Sequence, residues 1–147
     1  MTDADHSDIH RPLGLNLLAG LYLFFFLLSA STFGNPFPCL GTIHVGTPAK
    51  VLVFLDSIIC LYLFLGIMKR QSLTWYLLLG YNVFEILNII LNVTYIPRDE
   101  LERTIGAQVN PDALTVNNIA AALALLLLTQ FIYRHRHYFG NKGKYLF

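Results

Sequence analysis

Four long apolar runs constrain the fold of this chain more than any other feature. They cover about residues 13–33, 49–68, 73–96 and 114–133. Each has about 18 residues or more, close to the ~20 that an α-helix needs to cross a hydrocarbon core of ~30 Å. Only 13% of the residues are charged, against roughly 25% in an average soluble domain. The sequence therefore predicts an all-α, four-helix transmembrane bundle that forms a single membrane domain over residues 1–147.

Cap residues and prolines mark the ends of the runs. Thr47 followed by Pro48 predicts an N-cap and a first helical position for the second run. Asn110 followed by Pro111 is the same start signal for the fourth run. Pro97 ends the third run, because proline cannot continue a helix.

The three connections differ in kind. Residues 34–48 are rich in glycine and proline, and we expect an irregular loop. Residues 97–113 contain Leu101 and Ile105 at helical spacing among acidic residues, which predicts short amphipathic turns in the second outer loop. Residues 69–72 form a tight turn, so the second and third helices should be antiparallel neighbours.

Lysine and arginine gather on one side of the predicted membrane. Placing both termini in the cytoplasm puts seven basic residues inside: Arg11, Lys69, Arg70, Arg134, Arg136, Lys142 and Lys144. The three outside are Lys50, Arg98 and Arg103. Because cytoplasmic loops carry the excess of Lys and Arg, the sequence predicts that both termini are cytoplasmic (N-in/C-in). The basic stretch after the last span would also bind anionic lipid headgroups.

Two carboxylic acids interrupt the apolar runs. Asp56 lies thirteen residues before Lys69, and Glu85 lies thirteen residues after Ser72. At ~1.5 Å per residue, both sit about 20 Å from the turn that joins their helices, hence at one level. A charged side chain at the centre of a bilayer costs several kcal/mol or changes its protonation state. Such a residue therefore usually faces a partner, a cavity or a pathway.

Amide and phenol side chains accompany the two acids. Together with Asp56 and Glu85, the candidate ligand-binding or ion-binding residues are Tyr22, Asn82, Asn88, Asn92 and Asn118. Tyr81, Glu85, Asn88 and Asn92 recur at steps of four, three and four, which places them on one helix face. By residue count Tyr22 lies near the depth of Asn82, and Asn118 near that of Asn88.

Three interpretations of these polar residues compete. They could hold helices together, at ~0.6 kcal/mol and up to 1–2 kcal/mol for each hydrogen bond. They could form a pathway or pocket for an ion, a proton or a small polar solute, in which Asp56 and Glu85 share a proton. They could also bind a hard cation for catalysis. Zinc or iron would normally need His or Cys as well, and the candidates His44 and Cys39 fall in a loop.

Short motifs at both ends of the chain carry a family resemblance. The sequence opens with Arg11-Pro12-Leu13-Gly14, and near its end Tyr133 is followed by a basic stretch and Tyr138-Phe139. In these motifs the chain resembles small prokaryotic four-span membrane proteins that carry no assigned activity. The resemblance implies the four-span topology and a prokaryotic inner membrane. The chain lacks the Cys-x-x-Cys of four-span thiol oxidoreductases and the first-span glutamate of small multidrug exporters.

These patterns predict a small transporter, channel or ligand-binding membrane protein that uses the Asp56 and Glu85 level. The alternative is a structural or assembly subunit of a homo-oligomer or a larger membrane complex, and the third interpretation is a metal-dependent intramembrane enzyme. No stretch matches a catalytic motif, and we predict no cofactor and no resident metal. A nucleic-acid partner is not expected, because no basic patch is present. Cys39 and Cys60 are predicted to be free thiols.

Overall fold

The computed structural model describes residues 12–142, and this part of the chain is mostly helical. Its α-helices are α1 (Leu13–Ser31), α2 (Gly46–Met68), α3 (Ser72–Tyr95), α4 (Arg98–Ile105) and α5 (Pro111–Arg134). Between α1 and α2 lie two short strands, β1 (Phe37–Cys39) and β2 (Thr42–His44). Arg11 and Lys144, which entered the charge comparison, lie outside the described residues.

Four of these helices are long and apolar enough to cross a membrane. α1, α2, α3 and α5 have 19 to 24 residues, and their most apolar windows have mean hydropathies of 1.5 to 2.5. The four predicted runs are thus confirmed as helices, with ends that differ from the prediction by at most three residues. The predicted amphipathic turns are confirmed as α4.

One of the two predicted N-caps is confirmed in the structure, and the other is wrong. Asn110 caps α5, because its Oδ1 accepts hydrogen bonds from the backbone N–H groups of Asp112 and Ala113. Thr47 is not the cap of α2: the helix begins at Gly46 and the extended Val45 precedes it. Gly46 has a φ of 65°, which a residue without Cβ adopts freely. This lets the chain pass directly from β2 into the helix.

Within residues 34–48, the segment 37–44 forms a β-hairpin, so the prediction of an irregular loop is wrong. β1 and β2 pair antiparallel, with Pro38 opposite Ile43. The two residues between the strands, Leu40 and Gly41, both have positive φ, at 52° and 83°. A two-residue turn with both φ values positive matches the twist of the flanking strands.

The long helices pack as two pairs. α1 packs against α2 and α3 against α5, whereas α2 and α3 contact each other less. The main apolar core lies at the end where α2 turns into α3, and its fully buried members are Leu15, Tyr22, Leu63, Ile67, Leu78 and Ile132. Of α5, which lies wholly within the described residues, only Ile132 is buried. The two pairs are therefore packed together at the end where α2 turns into α3, which we call the closed end. They stand apart towards the hairpin.

The segment after α5 ties the closed end together. Asn141 donates its backbone N–H to the Arg70 carbonyl (3.0 Å) and accepts from the Ser72 N–H (2.8 Å). Its Nδ2 also donates to the Lys69 carbonyl at 3.0 Å. Phe139 is 3% exposed and packs in the core. The segment thus joins the end of α5 to the turn between α2 and α3.

Candidate functional site

Asp56 of α2 and Glu85 of α3 line the same cavity. This main cavity has a volume of about 850 Å³ and lies between the two helix pairs, bordered by α1, α2, α3 and α5. Both acids also line a smaller cavity of about 190 Å³ under the hairpin. Each acid is half-buried, and neither forms a salt bridge with any residue between 12 and 142. The two carboxyl groups therefore stand at the boundary between the two cavities.

Tyr81 links the two acid-bearing helices. Its hydroxyl donates to Asp56 Oδ1 at 2.9 Å and lies 3.2 Å from Cys60 Sγ. Because Tyr81 precedes Glu85 by four residues on α3, both side chains lie on one face of that helix. Sequence reasoning gave Tyr81 a place on the polar stripe but no binding role. The contact with Asp56 depends on how α2 and α3 are rotated, which residue spacing along a single helix does not reveal.

The walls of the main cavity are mostly apolar. α1 contributes Phe25 and Leu28, and Phe37 of β1 lies at the hairpin end. α5 contributes a face with two small residues, Ala121 and Ala124, which leave room between this helix and α1. The cavity is partly open, so its contents are not sealed from the surroundings of the protein.

A buried hydrogen bond lies on the core side of the main cavity. The Tyr22 hydroxyl donates to Asn82 Oδ1 at 2.5 Å, and both residues are fully buried. The ring of Tyr22 contacts those of Phe25 and Tyr81, which line the cavity. The predicted shared depth of Tyr22 and Asn82 is confirmed. Neither residue lines either cavity, and the Nδ2 of Asn82 has no hydrogen-bond partner among the described residues.

Asn88 and Asn92 of α3 hold the hairpin. Asn88 Oδ1 accepts the Leu40 N–H at 2.7 Å, and Asn92 Oδ1 accepts the Gly41 N–H at 2.8 Å. Asn88 also lines the smaller cavity. The structure therefore places these two amides around the turn of the hairpin, away from the main cavity.

Asn118 does not join the other candidates. Its Nδ2 donates to the Leu114 carbonyl one turn earlier in α5, at 2.7 Å. It lines neither cavity. A matching depth along the helix does not bring it near the acids, because that depth leaves the direction of the side chain open.

The possible metal ligands are dispersed. Among residues 12–142 no three His, Cys, Asp or Glu side chains are grouped so that they could hold a metal ion. Cys39 is buried in β1, and Cys60 is buried in α2. Both are free thiols, as predicted.

No protein-family model, curated protein or solved structure matches the chain.

Proposed function

We propose that this is a four-span membrane protein with both termini in the cytoplasm, and that it binds and transports a small molecule at Asp56 and Glu85. The single observation that carries the proposal is the cavity of about 850 Å³, whose wall holds two acids that form no salt bridge with any described residue. Small-molecule sites are mostly apolar clefts of about 300–1,000 Å³ with a few polar groups. This cavity meets that description.

The charge distribution supports the N-in/C-in orientation. The closed end carries Lys69, Arg70, Arg134, Arg136 and Lys142 among the described residues. Arg136 lies over the Trp75 ring, 4.8 Å from its centroid, and donates to the Tyr76 hydroxyl at 2.9 Å. Aromatic and cationic side chains of this kind favour the interface between lipid and water. Under this proposal the closed end faces the cytoplasm and anionic headgroups, in a prokaryotic inner membrane.

The shape of the cavity supports a carrier over an open channel. A channel needs a continuous path, whereas the core around Leu15, Leu63 and Leu78 fills the closed end. The cavity lies instead towards the hairpin, between the separated parts of α1 and α5. A cavity that is closed at one end supports a carrier over an open channel.

The test is proton flux into proteoliposomes that contain a pH-sensitive dye. Carboxyl groups inside membrane spans often serve as proton relays, so we expect the wild-type protein to carry protons down an imposed pH gradient. Asp56→Asn and Glu85→Gln should each abolish this flux. The matched control is Asp99→Asn, since Asp99 is an exposed acid on α4. Wild-type flux in both cavity variants would end the proposal.

A second candidate function, assembly with a membrane partner, is favoured by the outward face of α5. Val116, Ile119 and Leu123 are 54–62% exposed. Ala120 and Ala124 are both exposed, and of the two only Ala124 lines the cavity. Chemical cross-linking in membranes separates the two functions: a loss of cross-linked complexes with Ala120→Leu, but not with Ala124→Leu, would favour assembly.

A further inference from the structure

The two acids of the main cavity lack a positive partner within the described part of the chain. Arg98 and Glu102, on the surface helix α4, form the salt bridge found among those residues. Lys50, the basic residue of α2, is exposed and lies six residues before Asp56. An unpaired charge in an apolar site is strongly unfavourable. Protons or a cationic ligand in the cavity would neutralise the acids.

The rest of the cavity suits the apolar body of such a ligand. Phe25, Phe37 and Tyr81 place aromatic rings in the same cavity as the acids. A cation over the face of an aromatic ring gains roughly 0.5–2 kcal/mol, and more when it is desolvated. Ala121 and Ala124 keep the α5 side wide enough for a bulky group.

The depth of the acids argues against a lipid headgroup as the source of the positive charge. Asp56 lies ten residues after Gly46, and Glu85 lies ten residues before Tyr95. At ~1.5 Å per residue, each acid is about 15 Å from the hairpin end of its helix. That is about half of a hydrocarbon core of ~30 Å. A headgroup anchored at the membrane surface does not reach this level, whereas a free molecule does.

We propose that the cavity binds an amphipathic organic cation, with its positive charge at Asp56 and Glu85 and its apolar body against the α1 and α5 walls. This proposal rests on the proposed function, since it names the class of small molecule that the same site would take.

The experiment is equilibrium dialysis of the full-length protein in detergent against three probes of similar shape. They are tetraphenylphosphonium (a cation), tetraphenylborate (an anion) and triphenylphosphine oxide (neutral). We expect the phosphonium to bind and the other two to bind far more weakly. Asp56→Asn with Glu85→Gln should weaken phosphonium binding by about 30-fold or more, since a desolvated charge contact is lost. Asp99→Asn is the control that keeps wild-type affinity.

A second pair of variants tests the place of binding without changing any charge. Ala124→Trp fills the cavity and should abolish phosphonium binding, whereas Ala120→Trp on the exposed face should not. Equal binding of the borate or the oxide, or phosphonium binding that survives loss of both acids, would overturn the cation proposal. After such a result, the proposed carrier function still stands if Asp56→Asn and Glu85→Gln each abolish proton flux. Wild-type flux in both variants would instead end the proposed function.

Discussion

Gly66 shows how a single residue sets the distance between two helices. It is buried in α2 at the closed end, and a Cβ built there would overlap the side chain of Thr74 in α3. Thr74 is itself fully buried, so it has little room to move. The close approach of α2 and α3 next to their turn therefore depends on the absence of a side chain at this position.

We expect Gly66→Ala to lower the stability of the protein by about 1–3 kcal/mol, as overpacking of a core does. Thermal unfolding in detergent is the measurement. Gly80→Ala is the matched control, because Gly80 is also helical but a Cβ placed there would meet no atom within 4 Å beyond its chain neighbours and the nearby backbone of its own helix. Equal melting temperatures for the two variants would contradict the close contact.

At the scale of elements, the hairpin depends on α3 for its position. Leu40 occupies a positive φ that is unfavourable for a side-chain-bearing residue, and Asn88 accepts its N–H. Cys39 is buried next to the turn, so the rate at which its thiol is alkylated indicates whether the hairpin stays in place. Burial raises the pKa of the Cys39 thiol, and any negative charge on Glu85 or Asp56 raises that pKa further. Because the thiolate is the reactive form, Cys39 should be alkylated slowly at neutral pH.

Asn88→Ala should speed the alkylation of Cys39 by maleimide, because it frees the Leu40 N–H and loosens the hairpin. Mass spectrometry of the labelled peptide measures the rate. Asn118→Ala is the control, since Asn118 bonds only to its own helix in the structure. An unchanged rate in the Asn88 variant would mean that the hairpin holds its position without this hydrogen bond.

The α4 helix carries a pH-dependent contact. The Glu102 carboxylate accepts the Val109 N–H at 2.9 Å and the Arg98 Nε–H at 3.0 Å. These bonds, that of Val109 first, lower the pKa of Glu102. The contact therefore adds stability above the unfolded pKa of about 4.3 and loses it as the pH falls through the lower folded value. The protection factor of the Val109 amide, which compares its exchange with that of an unstructured amide at the same pH, should be high in the wild type at neutral pH. It should fall both in Glu102→Ala at neutral pH and in the acidified wild type. Equal protection in wild type and variant at neutral pH would contradict this.

The sequence predicts the four long helices, but it does not predict how each helix is rotated about its own axis. The four runs were predictable because apolar length alone identifies helices that can cross a membrane. The shared depth of Tyr22 and Asn82 was predictable because a helix rises by a constant amount per residue. The direction in which Asn88, Asn92 and Asn118 point was not, since it depends on packing between helices that no single run encodes.

The β-hairpin was not predicted from the sequence either. Its signal is present in the sequence as Leu40-Gly41 between two short segments, but leucine is an uncommon residue at a positive φ. The amides of α3 that stabilise this turn are about fifty positions away. A contact of that range becomes visible only in the folded molecule.

The whole molecule is organised around one arrangement of its helices. Two helix pairs meet in a packed core at the closed end and separate towards the hairpin, and the space between them holds the cavity with Asp56 and Glu85. The same separation explains why α5 buries only Ile132. The packed closed end contributes most of the stability. The part of the bundle nearer the hairpin, where the helix pairs are separated, holds the proposed binding site.

The most direct test is labelling with dicyclohexylcarbodiimide in proteoliposomes, read by peptide mass spectrometry. This apolar reagent adds to protonated carboxyl groups that it can reach from lipid or an apolar cavity, and it forms a stable N-acylurea. We predict a label on Asp56 or Glu85 in the wild type, none on the water-exposed Asp99 at neutral pH, and no label on either cavity acid in Ala124→Trp. Absence of label from both cavity acids in the wild type, or labelling that a filled cavity does not reduce, would contradict the account.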